Sequence, residues 1–245
     1  MPSYPLTHGS LFSGIGGFDL GASYAGFENL FNCEIDPFCN RHLKKTYPSA
    51  TQYPGINTIQ KLPETTVISA GFPCQDISIG GKAEGIFGAQ SSLFFEAMRV
   101  FDEIRPPFIL MENSPQLLNR GMHYIISALA KIGYMCEWEC LSAYHFGYPH
   151  KRERIYIIAY PISIRLRHLV FRPIQTIKLH TAWSPTEASI RVSALGAKPQ
   201  GVPDTISPVD VVPGFSNYIH ALGNAVMPVI AEYLFQCIKL SITDL

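Results

Sequence analysis

Charge is scarce in this sequence. Only 16% of its 245 residues are Asp, Glu, Lys or Arg, and the 19 acidic and 19 basic side chains cancel. A neutral chain has no global attraction for nucleic acid or an anionic membrane surface. Long apolar runs are missing as well. The longest, IYIIAYPISI from Ile155 to Ile164, is too short to cross a bilayer. The opening MPSYPLTHGS has no basic stretch leading into an apolar one, so no secretory leader is expected. Six cysteines stand at 33, 39, 74, 136, 140 and 237, with no Cys-x-x-Cys pair and no His/Cys cluster at zinc spacing. A reduced, cytoplasmic, metal-free chain is the expectation. No obvious self-association element stands out, so a monomer is expected.

What is present points to a folded α/β protein. Hydrophobic residues make up 47% of the chain, ample for a packed core, and the length suits one large domain or one domain with a small appendage. Short apolar runs end at Phe12, near Cys33, at Ala70, at Met111 and at Ala159. Helix-length stretches alternate with them: FDLGASYAG, FCNRHLKKTY, SLFFEAMRVFDEI and HYIISALAKIG. This alternation predicts a doubly wound, mostly parallel sheet, which binds ligands at the carboxyl ends of its strands. The pattern dissolves after Pro161. Seven prolines fall between 161 and 213, with Pro149 just upstream. The chain divides accordingly into a main domain, 1–160, an irregular module, 161–214, and a C-terminal segment, 215–245, that packs back through a helix beginning near Pro228. The irregular module is also cationic: residues 161–200 hold Arg165, Arg167, Arg172, Lys178, Arg191 and Lys198 against Glu187 alone.

Four strand ends carry residues with chemistry. LFSGIGGFDLG places Gly14 and Gly16 between a strand and a helix, where a nucleotide-like ligand can approach the backbone. The third glycine of a dinucleotide fingerprint is replaced by Asp19. Glu34, in NCEID, stands where an acid for a ribose hydroxyl is expected; the plain alternative is a turn with a solvated Glu. GFPCQDIS follows VISA and puts Cys74 just past a buried strand. It is either a structural thiol or a nucleophile on a rigid support. FILMENSP ends an apolar strand in Glu112, a costly place for a carboxylate unless it is paired or used. In HKRERIYIIA, Arg152 and Arg154 share a face at period two, as a solvated edge or as partners for a carboxylate, phosphate or carbonyl.

In this order the motifs resemble those of the cytosine-5 DNA methyltransferases. FSGIGG resembles their cofactor loop, GFPCQ their nucleophile loop, GGKAEGIFGAQSSLFFEAMRV the segment after it, MEN their cytosine-binding glutamate, KRERIYIIA their arginine strand and ALGNAVMP their C-terminal motif. The resemblance implies a Rossmann-like methyltransferase of restriction–modification, phage or orphan type. Its methyl donor would be S-adenosyl-L-methionine, leaving S-adenosyl-L-homocysteine. Its partner would be double-stranded DNA, with the target cytosine flipped out of the stack. It implies catalytic roles for Cys74, Glu112, Arg152 and Arg154. It also implies cofactor contacts from Phe12, Ser13, Gly14, Ile15, Gly16, Gly17, Glu34, Ile35, Asn57, Pro73, Leu93, Asn224 and Ala225.

The sequence departs from the family in four places. Asn57 replaces the usual Asp, His150 the usual Gln, and Arg191 is only a faint match to the motif that frames the recognition region. That region is short, about 50 residues, and with Phe171 and Trp183 among its cations it is read as contacting DNA phosphates. Two alternatives stand beside DNA methylation: transfer to tRNA, and a decayed relative that binds DNA or cofactor without turnover. An unrelated cysteine hydrolase is distant, because no His suggests a Cys–His pair.

Overall fold

A computed structural model describes residues 4–59, 61–72, 91–148, 151–179 and 226–243. Seven strands form one sheet in the order β3-β2-β1-β4-β5-β7-β6. They are β1 (Thr7–Leu11), β2 (Glu28–Cys33), β3 (Thr51–Tyr53), β4 (Val67–Ala70), β5 (Phe108–Asn113), β6 (Tyr134–Ser142) and β7 (Glu153–Pro161). The first five strands pair in parallel, and β7 runs antiparallel to both β5 and β6. The helices are α1 (Gly17–Ala25), α2 (Pro37–Thr46), α3 (Ser91–Ile104), α4 (Leu117–Arg120), α5 (Met122–Lys131) and α6 (Pro228–Thr243).

Period-two alternation divides the core between the two faces of the sheet. Ile109 and Met111 of β5, with Ile155, Ile157 and Ala159 of β7, face α3, α4 and α5. Phe108 and Leu110, with Tyr156, Ile158 and Tyr160, face α1 and α6. Both central strands are apolar on both sides, as strands covered by helices must be. Two local devices set helix positions. Asp36 caps α2 by accepting from the Phe38 and Cys39 amides, with Pro37 in the first turn. Gly21 lets α1 and α6 touch closely, since a Cβ there would lie 2.4 Å from the Ala231 Cβ.

The expected strands and helices are present, and two strands were not anticipated. β3 has three residues, too few for a periodic signal. β6 is the sheet's edge, and both its charges, Glu137 and Glu139, fall on one face of the strand. Beyond β7, residues 164–179 do not stand free. Val170 is fully buried, and Ile164, Leu166, Phe171, Ile174, Ile177 and Leu179 pack partly against the core around α6. The Val170 amide donates to Glu137 of β6, and the Tyr233 hydroxyl of α6 donates to the Arg172 carbonyl. Arg165, Arg167 and Lys178 point outward between these anchors. Phe171 is thus a packing residue. Trp183, Arg191 and Lys198 lie outside the described residues.

Candidate active site

Parallel register brings four strand ends into one row: Cys33, Leu11, Ala70 and Met111 are successive neighbours across β2, β1, β4 and β5. The residues just beyond them, which sequence scatters from Phe12 to Glu112, therefore share one edge of the sheet. Antiparallel β7 enters at the same edge, because Asn113 pairs with Ile155.

At one end of this edge the chain turns tightly. Phe12, Gly14 and Gly16 have φ of 56°, 55° and 84°. A left-handed backbone is ordinary for glycine and uncommon for Phe, so Phe12 holds local strain. Ser13 is clasped to Cys33: its amide donates to the Cys33 carbonyl at 3.0 Å, and its hydroxyl accepts from the Cys33 amide at 3.0 Å. The next pair repeats the clasp, with the Gly14 amide donating to Glu34 Oε2 at 2.7 Å. Glu34 Oε1 accepts from the Ile35 and Asp36 amides, each at 2.8 Å. The carboxylate is thereby held at the mouth of the loop with one lone-pair site, on Oε2, to spare. Ile35 is 79% exposed, and Ile15 is half-buried. Asn57 is exposed on a single 3-10 turn, Ile56–Thr58, just after β3, and Leu93 is half-buried on α3. A Cβ on Gly14 would meet nothing within 4 Å, whereas one on Gly17 would strike the Val226 carbonyl at 2.2 Å. Space is open on one side of the loop, and the segment leading into α6 closes the other. Asn224 and Ala225 lie outside the described residues.

At the other end Glu112 Oε1 meets Arg154 Nε at 3.0 Å, and the Glu112 side chain is only 13% exposed. Burial pushes the Glu112 carboxyl above its ordinary value, while Arg154 and Arg152 pull it back. Burial and the neighbouring Arg154 charge lower Arg152 in turn. Gly71, past β4, borders this carboxylate: a Cβ there would sit 3.5 Å from Glu112 Oε2, in ordinary van der Waals contact. Buried Asn113 donates from Nδ2 to the Phe72 carbonyl at 3.3 Å, stapling the end of β5 to the segment that leads into Pro73 and Cys74. Pro73, Cys74 and His150 lie outside the described residues.

The loop suits S-adenosylmethionine. Open space over Gly14 leaves room beside the backbone, and the fixed Glu34 carboxylate can accept from a ribose hydroxyl at the remaining site on Oε2. Among the described residues, no group of three or more His, Cys, Asp or Glu could hold a metal ion. No described helix is long and apolar enough to cross a membrane. Cys33, Cys39, Cys136, Cys140 and Cys237 are all free thiols. Sequence reasoning missed Asn113 and the Ser13–Cys33 clasp. The Asn stood in the quoted MEN motif, but nothing in sequence shows its partner. Ser13 was singled out only as part of the loop.

A family model described as C-5 cytosine-specific DNA methylase matches residues 6–190. The type II methyltransferase M2.BsuMI of Bacillus subtilis (strain 168) is 40% identical over 158 residues, covering 61% of this chain and 41% of that protein. The type II methyltransferase M.MspI of Moraxella sp is 36% identical over 160 residues, covering 61% and 37%. The chain thus spans about two fifths of the length of these relatives. A crystal structure of a DNA modification methyltransferase encoded within an E. coli prophage superposes with a TM-score of 0.60 at 23% identity, over 82% of this chain and 56% of that one. S. pombe Dnmt2 superposes with a TM-score of 0.55 at 22% identity, over 65% and 52%. At such identities the likeness is one of fold.

Proposed function

Since the chain belongs to the C-5 cytosine-specific DNA methylase family, we propose that it transfers a methyl group from S-adenosylmethionine to C5 of a cytosine flipped out of duplex DNA. The observation that carries this reading is the part-buried Glu112–Arg154 pair at the strand edge that leads into the Cys74 segment. A carboxyl raised by burial and steadied by guanidinium is suited to meet the N3 side of a cytosine.

The chemistry follows from the electron demand of the ring. Cytosine C5 is too weak a nucleophile to be methylated directly. The Cys74 thiolate adds to C6, forming a C–S bond and moving the C5–C6 electron pair to C5. Protonated Glu112 donates its proton to N3 as negative charge builds there. Arg154 holds the Glu112 carboxyl and the cytosine O2, with Arg152 adding positive potential beside it. The donor, when bound, would supply an electrophilic methyl group to C5, its sulfonium–methyl bond breaking to leave S-adenosylhomocysteine. A base then removes the C5 proton, the C5–C6 double bond reforms as the C6–S bond breaks to release the Cys74 thiolate, and N3 returns its proton to Glu112. Phe12, the Ser13–Gly17 turn and Glu34 would seat the donor, with Ile35, Asn57, Pro73, Leu93, Asn224 and Ala225 around it. Asn57 retains an acceptor oxygen for an adenine amine.

The test is adduct trapping. Duplexes carrying 5-fluorocytosine block loss of the C5 substituent, so turnover should stop as a protein–DNA adduct that survives denaturing gels and maps to Cys74. Cys74→Ser should bind the same duplexes and form none. Methyl incorporation into tRNA but not duplex DNA would move the substrate to RNA. Donor binding with neither adduct nor incorporation on any duplex would make the protein a binder.

A further inference from the structure

A cluster of buried polar side chains lies between α1 and the face of β1, β2 and β4 beneath it, and the proposed chemistry uses none of it. His8, Ser10, Asp19, Asn32 and Ser69 are all fully buried. Hydrogen counting gives part of this cluster a direction. The Ser10 hydroxyl donates its only proton to Asp19 Oδ1 at 2.9 Å. It lies 2.6 Å from the Ser13 hydroxyl and, having spent its proton, accepts there; Ser13 donates, its proton also within reach of the Ser10 and Cys33 carbonyls at 3.2 and 3.1 Å. Ser13 in turn accepts from the Cys33 amide. The chain therefore runs from the Cys33 amide through Ser13 and Ser10, and ends on Asp19. Asn32 of β2 also donates to Asp19 Oδ1, while Asp19 Oδ2 finds no hydrogen-bond partner.

We infer that Asp19 is a positioning residue for the cofactor loop: as the terminal acceptor it sets the direction of the Ser10–Ser13 chain and so locks Ser13 and Gly14 against the end of β2. The inference rests on reading that loop as the donor's seat. Below its raised pKa Asp19 is mainly the neutral acid, and the chain keeps its direction with that proton on Oδ2, which has no partner among the described residues, so that Oδ1 is left to accept. The basic group nearest to it among the described residues is His8, whose Nδ1 is 3.9 Å from Oδ1. Both His8 nitrogens are already engaged, by Asn29 and Ser69. A bare charge so placed would be expensive, and burial accordingly pushes the Asp19 carboxyl up to about 7. An asparagine keeps the acceptor oxygen and the neutral charge. An alanine removes the acceptor and lets Ser10 and Ser13 reverse.

The experiment compares Asp19→Ala, Ser10→Ala and Asp19→Asn with wild type at pH 6.5. It reads amide hydrogen exchange of the free protein over residues 11–17 and calorimetric binding of S-adenosylhomocysteine. The Ala variants should speed loop exchange and weaken binding by about tenfold, the effect of one lost buried hydrogen bond, with duplex affinity unchanged. Asp19→Asn should restore both. Unchanged exchange in the Ala variants, or an Asn variant as impaired as Ala, overturns the inference. If Asp19→Ala does not fold, Ser10→Ala decides alone, because it keeps the carboxyl and cuts only the chain. If wild type binds no S-adenosylhomocysteine, the proposed function fails and the exchange arm still judges Asp19.

Discussion

Arg154 reaches Glu112 diagonally across the antiparallel β5–β7 pair, Nε to Oε1 at 3.0 Å. The residue directly opposite Glu112 is Tyr156. Arg154 lies two positions along β7, so it shares Tyr156's face and can extend to the carboxylate. Arg152, two positions further, falls on the same side, and its charge also lowers the Glu112 pKa. One register shift in this pair would turn all three side chains to the opposite face.

Removing Arg154 should therefore raise the Glu112 pKa further, since a lowering influence is lost. Arg154→Ala should cost roughly 10²- to 10⁴-fold in single-turnover methylation, the usual scale for a positioned acid–base group. Arg154→Lys keeps the charge but not the planar fork, and should fall between. A wild-type rate in Arg154→Ala would detach the pair from the chemistry.

The pH profile offers a second check. In the proposed reaction the protonated Glu112 carboxyl is the active form, so the methylation rate should fall as pH rises through its raised pKa. Glu112→Gln has an amide N–H and no proton to lose, so its slower rate should lack that alkaline limb. A limb of equal position in both proteins would assign it to another group.

Gly21→Ala should destabilise the fold by about 1–3 kcal/mol, the scale of overpacking. The added Cβ would lie 2.4 Å from the Ala231 Cβ and 2.6 Å from the Glu232 amide nitrogen, so two helix backbones must separate. The opposing gain in helix propensity is at most about 1 kcal/mol and loses. Gly55→Ala is the control, since its Cβ would meet nothing within 4 Å. Thermal melts of the two variants should differ clearly.

His8 and Asp19 should cancel in the pH dependence of stability. Burial lowers His8 to about 4 and raises Asp19 to about 7. The His8 contribution is present above its unfolded pKa and lost as pH falls through about 4. The Asp19 contribution is present below its unfolded pKa and lost as pH rises through about 7. Between these limits, folding moves one proton from the histidine to the carboxylate, and the total bound is unchanged. Wild-type stability from this pair should be nearly flat over pH 4–6.5. Asp19→Asn should become more stable with rising pH over that range, and His8→Gln less stable, each by roughly 3 kcal/mol. Urea melts at several pH values read both slopes, and parallel curves for all three proteins would refute the pairing.

The sequence was most legible where one pattern governs a whole element. Phe108–Met111 and Ile155–Ala159 are unbroken apolar runs because both faces of those strands are covered by helices. β1 was harder to read, as THGSL carries His8 and Ser10 where a covered strand should be apolar. Those polar groups are tolerated because Asn29, Ser69, Ser13 and Asp19 satisfy them. β6 was passed over although Cys136, Trp138 and Cys140 alternate with Glu137 and Glu139, the pattern of a strand with one solvated face.

By itself the sequence determined the alternation of strands and helices, and which residues with chemistry lie just beyond strand ends. Those properties depend on local periodicity and on residue type. Tertiary structure alone decided the partnerships: Arg154 with Glu112, Asn113 with the Phe72 carbonyl, Gly14 with Glu34, and Asp19 as the end of a buried hydrogen-bond chain. Each joins groups on different elements, so each depends on strand order and register. Those are set by how the two sheet faces are packed, and no local pattern encodes that.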